Sequence, residues 1–268
     1  MPVRIGHSAD PDDAFMVWAL EAGAVDTRGL ELEPVVSDIQ TLNEWALEGR
    51  LEVTALSAAA YTEVADRYLI LPHGASFGEG YGPVVVARRE LSLDELRAVE
   101  IAIPGRLTTA FLGLRLALGS EQLRVREVPF ETVVDEVAAG RAEAGLVIHE
   151  GQLTYAEAGL HKLLDLGEWW QAETELPLPL GLVAIRRDVE RRDDVVAVLR
   201  EAIVAGLANR EEAMRYAVGF GRGIDASTAD EFVAMYVNDL TLDMGDRGRH
   251  AVAELLRRAG ADRKPEFV

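Results

Sequence analysis

The 268-residue chain contains no cysteine, which excludes disulfides and thiolate metal sites. It is short of positive charge: 27 Lys and Arg stand against 46 Asp and Glu, a formal net charge of −19. Proteins that grip phosphate backbones need clustered cations, so nucleic acid is disfavoured as a partner. An anionic small molecule would have to be held by local donors such as helix N-termini. No apolar run reaches the ~18 residues needed to cross a bilayer. The opening Met1-Pro2-Val3-Arg4-Ile5 has no secretory core. A cytoplasmic protein without a membrane partner is therefore expected. His7, His73, His161 and His250 have no metal-ligand spacing to one another, so no zinc site is expected. P-loop and G-x-G-x-x-G patterns are missing, as is a G-x-S-x-G elbow.

What is present is an alternation of short apolar runs and helix-like segments. Strands are expected at 3–6, 30–36 and 53–56, with helices between them. A second series follows, with strands at 83–87, 100–103, 124–128, 145–148 and 163–166. The residues before Pro177 and Pro179 must be extended, leading into a strand at 182–186. From 193 to about 260 the pattern is mostly amphipathic helix. The pattern implies an α/β protein of two domains joined by two hinge crossings, near 84–87 and 180–184. Residues 1–84 with 185–268 would form a discontinuous first domain, and 85–184 the second. A cleft between such domains is a favoured place for a small molecule. The glycine-rich stretch 73–82 reads as a flexible loop at that cleft.

Four turns carry candidate chemistry. Ala144-Gly145-Leu146-Val147-Ile148 is an apolar run that ends in His149-Glu150. Ligands of open α/β sheets lie beyond the carboxyl ends of strands, and an imidazole there can serve as acid or base near neutral pH. A satisfied histidine at a strand end is the alternative. Glu150 either orients that ring or faces solvent, and solvent is favoured. Ser8-Ala9-Asp10-Pro11-Asp12-Asp13 could hold a divalent cation through its carboxylates, although capping of the next helix is favoured. Thr54-Ala55-Leu56-Ser57 offers small residues and a hydroxyl, with Ser57 either a simple cap or a ligand donor. In Pro104-Gly105-Arg106-Leu107-Thr108-Thr109-Ala110, paired hydroxyls and a helix start make a carboxylate site with Arg106 as nearby cation. The alternative there is a cap with Arg106 in solvent. Trp169-Trp170 would line a pocket or pack in the core.

Several of these segments together resemble the 1,4-dihydroxy-6-naphthoate synthase family of the futalosine route to menaquinone. The residues are Ile148-His149-Glu150 with Leu153-Thr154-Tyr155, Asp165-Leu166-Gly167-Glu168-Trp169-Trp170, and Leu176-Pro177-Leu178-Pro179-Leu180-Gly181. Thr41-Leu42-Asn43, Leu56-Ser57 with Ala60-Tyr61, Gly82-Pro83, Pro104-Gly105 with Thr108-Thr109-Ala110, and Tyr236-Val237-Asn238 extend it. The resemblance implies the two-domain fold of periplasmic binding proteins (type II). It also implies a lyase that converts cyclic dehypoxanthinylfutalosine to 1,4-dihydroxy-6-naphthoate without metal or organic cofactor. By position, His149 would be the general base, and Ala55, Leu56, Ser57, Thr108, Thr109 and Asn43 would hold an aromatic carboxylate substrate. The family usually reads Ser-Pro-Cys-Pro-Asn-Asp where this chain has Ser8 to Asp13, and many relatives carry lysine at Ala55. Arg106 is expected to supply the missing cation. A chorismate dehydratase-like enzyme and a non-catalytic binding protein for a small carboxylate are the rival readings. Monomer and homodimer both stay open.

Overall fold

The computed structural model describes residues 2–221 and 224–268. Among them the strands are β1 (Val3–Ser8), β2 (Leu32–Ser37), β3 (Val53–Ser57), β4 (Tyr68–Ile70), β5 (Ser76–Gly78), β6 (Val84–Ala87), β7 (Ile101–Ile103), β8 (Val125–Glu127), β9 (Ala144–Val147), β10 (His161–Asp165) and β11 (Leu178–Arg186). The chain divides into two compact units, Met1–Phe77 with Pro179–Val268, and Gly78–Leu178. The expected limits at 84/85 and 184/185 fall inside β6 and β11, and the division lies earlier in the chain, ahead of β6 and at the start of β11. The division passes through β5, between Phe77 and Gly78, and just after Leu178, the first residue of β11.

In unit 1 the sheet order is β2-β1-β3-β11-β4, and β5 pairs with β11. β1 is parallel to both β2 and β3. Parallel neighbours need crossover connections, which the helices Pro11–Glu21 and Ile39–Glu48 supply. The first of these is apolar nearly all round and therefore buried. Its Phe15 and Trp18 pack with Ile203, Ala213, Ala217 and Val233 from the C-terminal helices. β11 runs antiparallel between β3 and β4, with Gly181 opposite Ser57 and Ala184 opposite Ile70. The chain end continues this edge: Ile70 N–H donates to the Glu266 carbonyl at 2.9 Å, and Val268 N–H to that of Ile70 at 3.0 Å.

Unit 2 has the order β10-β6-β9-β7-β8. β7 is parallel to β8 and β9, while β6 runs antiparallel to β9. β6, β7 and β9 are buried along their whole length, as strands covered on both faces must be. Val84, Val86, Ala102, Val133, Val137 and Val147 form the centre of its core. A second contact in this unit explains a glycine. A Cβ on Gly167 would stand 1.9 Å from the Tyr81 carbonyl oxygen, so the helix Leu166–Thr174 can start against the backbone of 81–83 only with glycine there. Leu166 N–H donates to the Pro83 carbonyl at 2.9 Å in the same contact. Within that helix Trp170 is wholly buried and donates from Nε1 to the Pro177 carbonyl at 3.1 Å. Of the two readings of the tryptophan doublet, core packing holds for Trp170.

Candidate active site

The parallel strands β2, β1 and β3 of unit 1 each end in a serine: Ser37, Ser8 and Ser57. Ser8 lies opposite Ser37, and Gly6 opposite Thr54, so these ends share one edge of the sheet. Asp38 starts the neighbouring helix by accepting from Thr41 N–H at 3.0 Å. One turn later the helix delivers Asn43, which is completely buried. Ser57 N–H donates to Asn43 Oδ1 at 2.8 Å, and Asn43 Nδ2 donates to Ser57 Oγ at 3.0 Å. The first bond fixes which way the amide faces. The second leaves the Ser57 hydroxyl set to donate its own proton. Ser57 begins a short 3-10 turn but makes no side-chain cap bond, so its partner is Asn43 and the simple-cap reading does not hold. Leu56 is fully buried and can offer a ligand only its backbone, while Ala55 packs with Leu42 and Leu51.

The acidic turn behaves differently from a cap. Asp10 occupies the N-cap position of Pro11–Glu21, yet its side chain makes no cap bond. Its carboxylate instead accepts from the Ser8 hydroxyl, and that of Asp13 from Ser8 N–H at 2.7 Å. Ser76 Oγ donates to Asp12 Oδ2 at 3.4 Å, and Asp12 Oδ1 is buried without a hydrogen-bond partner. Burial pushes the Asp12 carboxyl well above the usual range, and repulsion from Asp13 and then Asp10 adds to it. Asp13 is raised too, first by burial and then by Asp10, against the opposing Ser8 N–H bond. Among the described residues no group of three His, Cys, Asp or Glu side chains is arranged to hold a metal ion.

Below β1, a cavity of about 40 Å³ is lined by His7, Asp13, Ala55 and His73 among others. That is room for water rather than for a substrate. Burial holds His73 at about 4, so it is neutral at pH 7.

In unit 2, β7 and β9 are parallel neighbours, with Ala102 opposite Gly145. The loop after β7 and the turn after β9 therefore lie at the same edge. Thr108 caps the helix Thr109–Leu118: its oxygen accepts from Phe111 N–H at 3.2 Å, and its hydroxyl donates to the Gly105 carbonyl at 2.8 Å. Thr109 is buried in the first turn. A helix start of this kind presents N–H groups and a positive dipole end to an anion. Arg106 is bound to Glu127, Nε to Oε1 at 2.9 Å, and its guanidinium lies 5.9 Å from the Phe111 ring centre. The cap alternative holds, since Thr108 caps the helix and Arg106 is exposed, although the pairing with Glu127 was not anticipated.

His149 follows β9 with φ +54°, in the left-handed region. Such backbone is uncommon outside glycine and clusters at functional turns. Its carbonyl accepts from Gln152 N–H at 3.1 Å, and its ring lies edge-to-face with Phe130, centroids 4.7 Å apart. Glu150, expected in solvent, is 8% exposed. The tight turn into the helix Gly151–Thr154 tucks it in, with its carbonyl accepting from Leu153 N–H at 2.9 Å.

A family model described as menaquinone biosynthesis matches residues 3–261. The chain belongs to this menaquinone-biosynthesis family. A 1,4-dihydroxy-6-naphthoate synthase of Thermus thermophilus is 42% identical over 264 residues, covering 97% of this chain and 94% of that one. The enzyme of the same name from Streptomyces coelicolor is 36% identical, over 97% and 93%. Among solved structures, protein AF1704 of Archaeoglobus fulgidus superposes with a TM-score of 0.91 at 46% identity, covering 97% of each chain. At 11% identity, a Candida albicans protein with the generic periplasmic binding protein fold gives a TM-score of 0.68, covering 100% and 98%. The two sheet-centred units are those of that fold.

Three features of this family member escaped the sequence reading. Phe130 is not among the candidates the sequence offers, although an aromatic directly after Pro129 marks a turn. The burial of Asp10 and Asp12 left no local signal, because acidic residues near a helix start ordinarily face water. The joint lining of one cavity by His7 and His73 depends on elements far apart in the chain.

Proposed function

We propose that the protein is a 1,4-dihydroxy-6-naphthoate synthase, a carbon–carbon lyase acting on cyclic dehypoxanthinylfutalosine in menaquinone biosynthesis. The observation that carries this reading is the match to two enzymes of that name over 97% of the chain. His149 is the general base. Its imidazole takes the proton of a sugar hydroxyl, and the oxygen closes to a carbonyl as the adjacent carbon–carbon bond breaks. The released electron pair enters the ring system, whose aromatisation draws the reaction forward, and the sugar remnant departs. A neutral imidazole near pH 7 suits this transfer.

Ser57, braced by Asn43, holds the substrate with the Ala55 and Leu56 backbone. Thr108 and Thr109 receive the carboxylate at their helix start. Arg106 supplies the cation that Ala55 does not, exchanging Glu127 for the substrate. The route uses no cofactor, and the reading places the enzyme in the cytoplasm.

The test is His149→Gln assayed with cyclic dehypoxanthinylfutalosine. Loss of a positioned base is expected to lower kcat by about 10²- to 10⁴-fold. No turnover by the wild type, or equal turnover by the variant, overturns the assignment. Loss of water from chorismate serves as the control reaction for the rival activity.

A further inference from the structure

We propose that Phe130 is the positioning residue for His149, its ring fixing the direction in which the imidazole presents its nitrogens beyond β9. This rests on His149 being the general base. The left-handed backbone at His149 sets where the Cα–Cβ bond points. It leaves rotation about χ1 and χ2 to be set by the surroundings; the residue as a whole is half-buried, and its Nε2 is shielded from solvent. A base must meet its proton at hydrogen-bond distance, so that rotation has to be restricted by a neighbour.

Phe130 is such a neighbour. Its ring centre lies 4.7 Å from that of His149 with the planes 68° apart, within the range where edge-to-face aromatic pairs attract beyond simple burial. Phe130 is itself half-buried, so filling the core is not its main effect.

The sequence holds Phe130 there through a chain of close contacts. Pro129 restricts the backbone at φ −52° and opens a 3-10 turn over Phe130–Thr132. Thr132 ties that turn down, with its N–H at 2.9 Å and its hydroxyl at 2.8 Å from the Pro129 carbonyl. The helix Val133–Ala138 follows and lies directly on β9. It can do so because of Gly145, where a Cβ would stand 2.7 Å from both Val133 Cγ1 and Val137 Cγ2. The glycine in β9 thus sets the height of the helix, and the helix sets the reach of Phe130 to the residue just past the end of the same strand.

Phe130→Leu keeps an apolar side chain and removes the ring, whereas Phe130→Tyr keeps the ring. With cyclic dehypoxanthinylfutalosine, Phe130→Leu is expected to lower kcat by about 10- to 100-fold while KM changes by less than about threefold. Phe130→Tyr is expected to restore kcat to within about threefold of wild type. In NMR spectra of the full chain, the ring protons of His149, assigned by their loss in His149→Gln, should move when Phe130→Leu removes the neighbouring ring current. A wild-type kcat in Phe130→Leu overturns the proposal. So does an equal loss of kcat and melting temperature in both variants, which would mark Phe130 as packing alone. If the wild type does not turn the compound over, the lyase reading fails and the positioning role falls with it. Unmoved His149 signals overturn the positioning role whatever the turnover.

Discussion

At the end of β3 in unit 1 the polar groups are locked across elements, since Asn43 on a helix satisfies both the N–H and the hydroxyl of Ser57. At Thr108 in unit 2 the side chain is locked within one turn. The Thr108 side chain bonds to Gly105 and Phe111 of its own loop and helix, and His149 has a left-handed backbone and a ring contact with Phe130. The first arrangement stakes stability on a side chain, because losing it strands buried polar atoms. The second stakes geometry, because losing a contact loosens a direction without stranding much. The two units should therefore respond differently to the same kind of truncation.

The largest difference is expected at Asn43→Ala. It leaves the buried N–H of Ser57 without its acceptor and removes a second bond, for a loss of about 3 kcal/mol in chemical denaturation. A loss below about 1 kcal/mol would mean that the two units are built alike after all. A smaller, pH-dependent effect is expected at Asp12→Asn. The Asp12 carboxyl is raised in the folded state by burial first and by Asp13 and Asp10 next. The stability this group contributes is therefore complete below its ordinary value of 3.8 and is lost as pH climbs through the raised one. The variant cannot ionise, so its melting temperature relative to wild type should rise as pH increases from 4 toward 8. A constant difference across that range would remove Asp12 from the account. The smallest effect belongs to unit 2: Thr108→Ala removes a helix cap and should cost about 1 kcal/mol, with Thr108→Ser close to wild type. A loss as large as that of Asn43→Ala would erase the contrast.

The sequence reading reached most of the frame because buried parallel strands announce themselves as apolar runs. β1, β2, β3, β7 and β9 lie within a residue or two of their expected places. The three-residue strand β5 shows no such run and was missed. β4, although it lies in the apolar run Tyr68-Leu69-Ile70-Leu71, was missed too, as was the helix Leu93–Ala98, although Ser92 and Glu95 form a capping box at its start. For the candidate site, residue types at strand ends pointed to His149, Ser57 and Thr108. The Asn43 to Ser57 bond joins different elements, and only family resemblance put Asn43 forward. Arg106 shows the limit most clearly. Its loop gave no hint that Glu127, on β8, would take its guanidinium.

β11 is read from the gene only after all of unit 2, yet it occupies the middle of the unit 1 sheet. While residues 178–186 remain inside the ribosome, β3 and β4 face each other across an unfilled seam. By then residues 78–178 have everything their own sheet requires. Translation thus imposes an order in which the later-starting unit closes first, and the nascent N-terminal strands wait with open edges that another chain could capture.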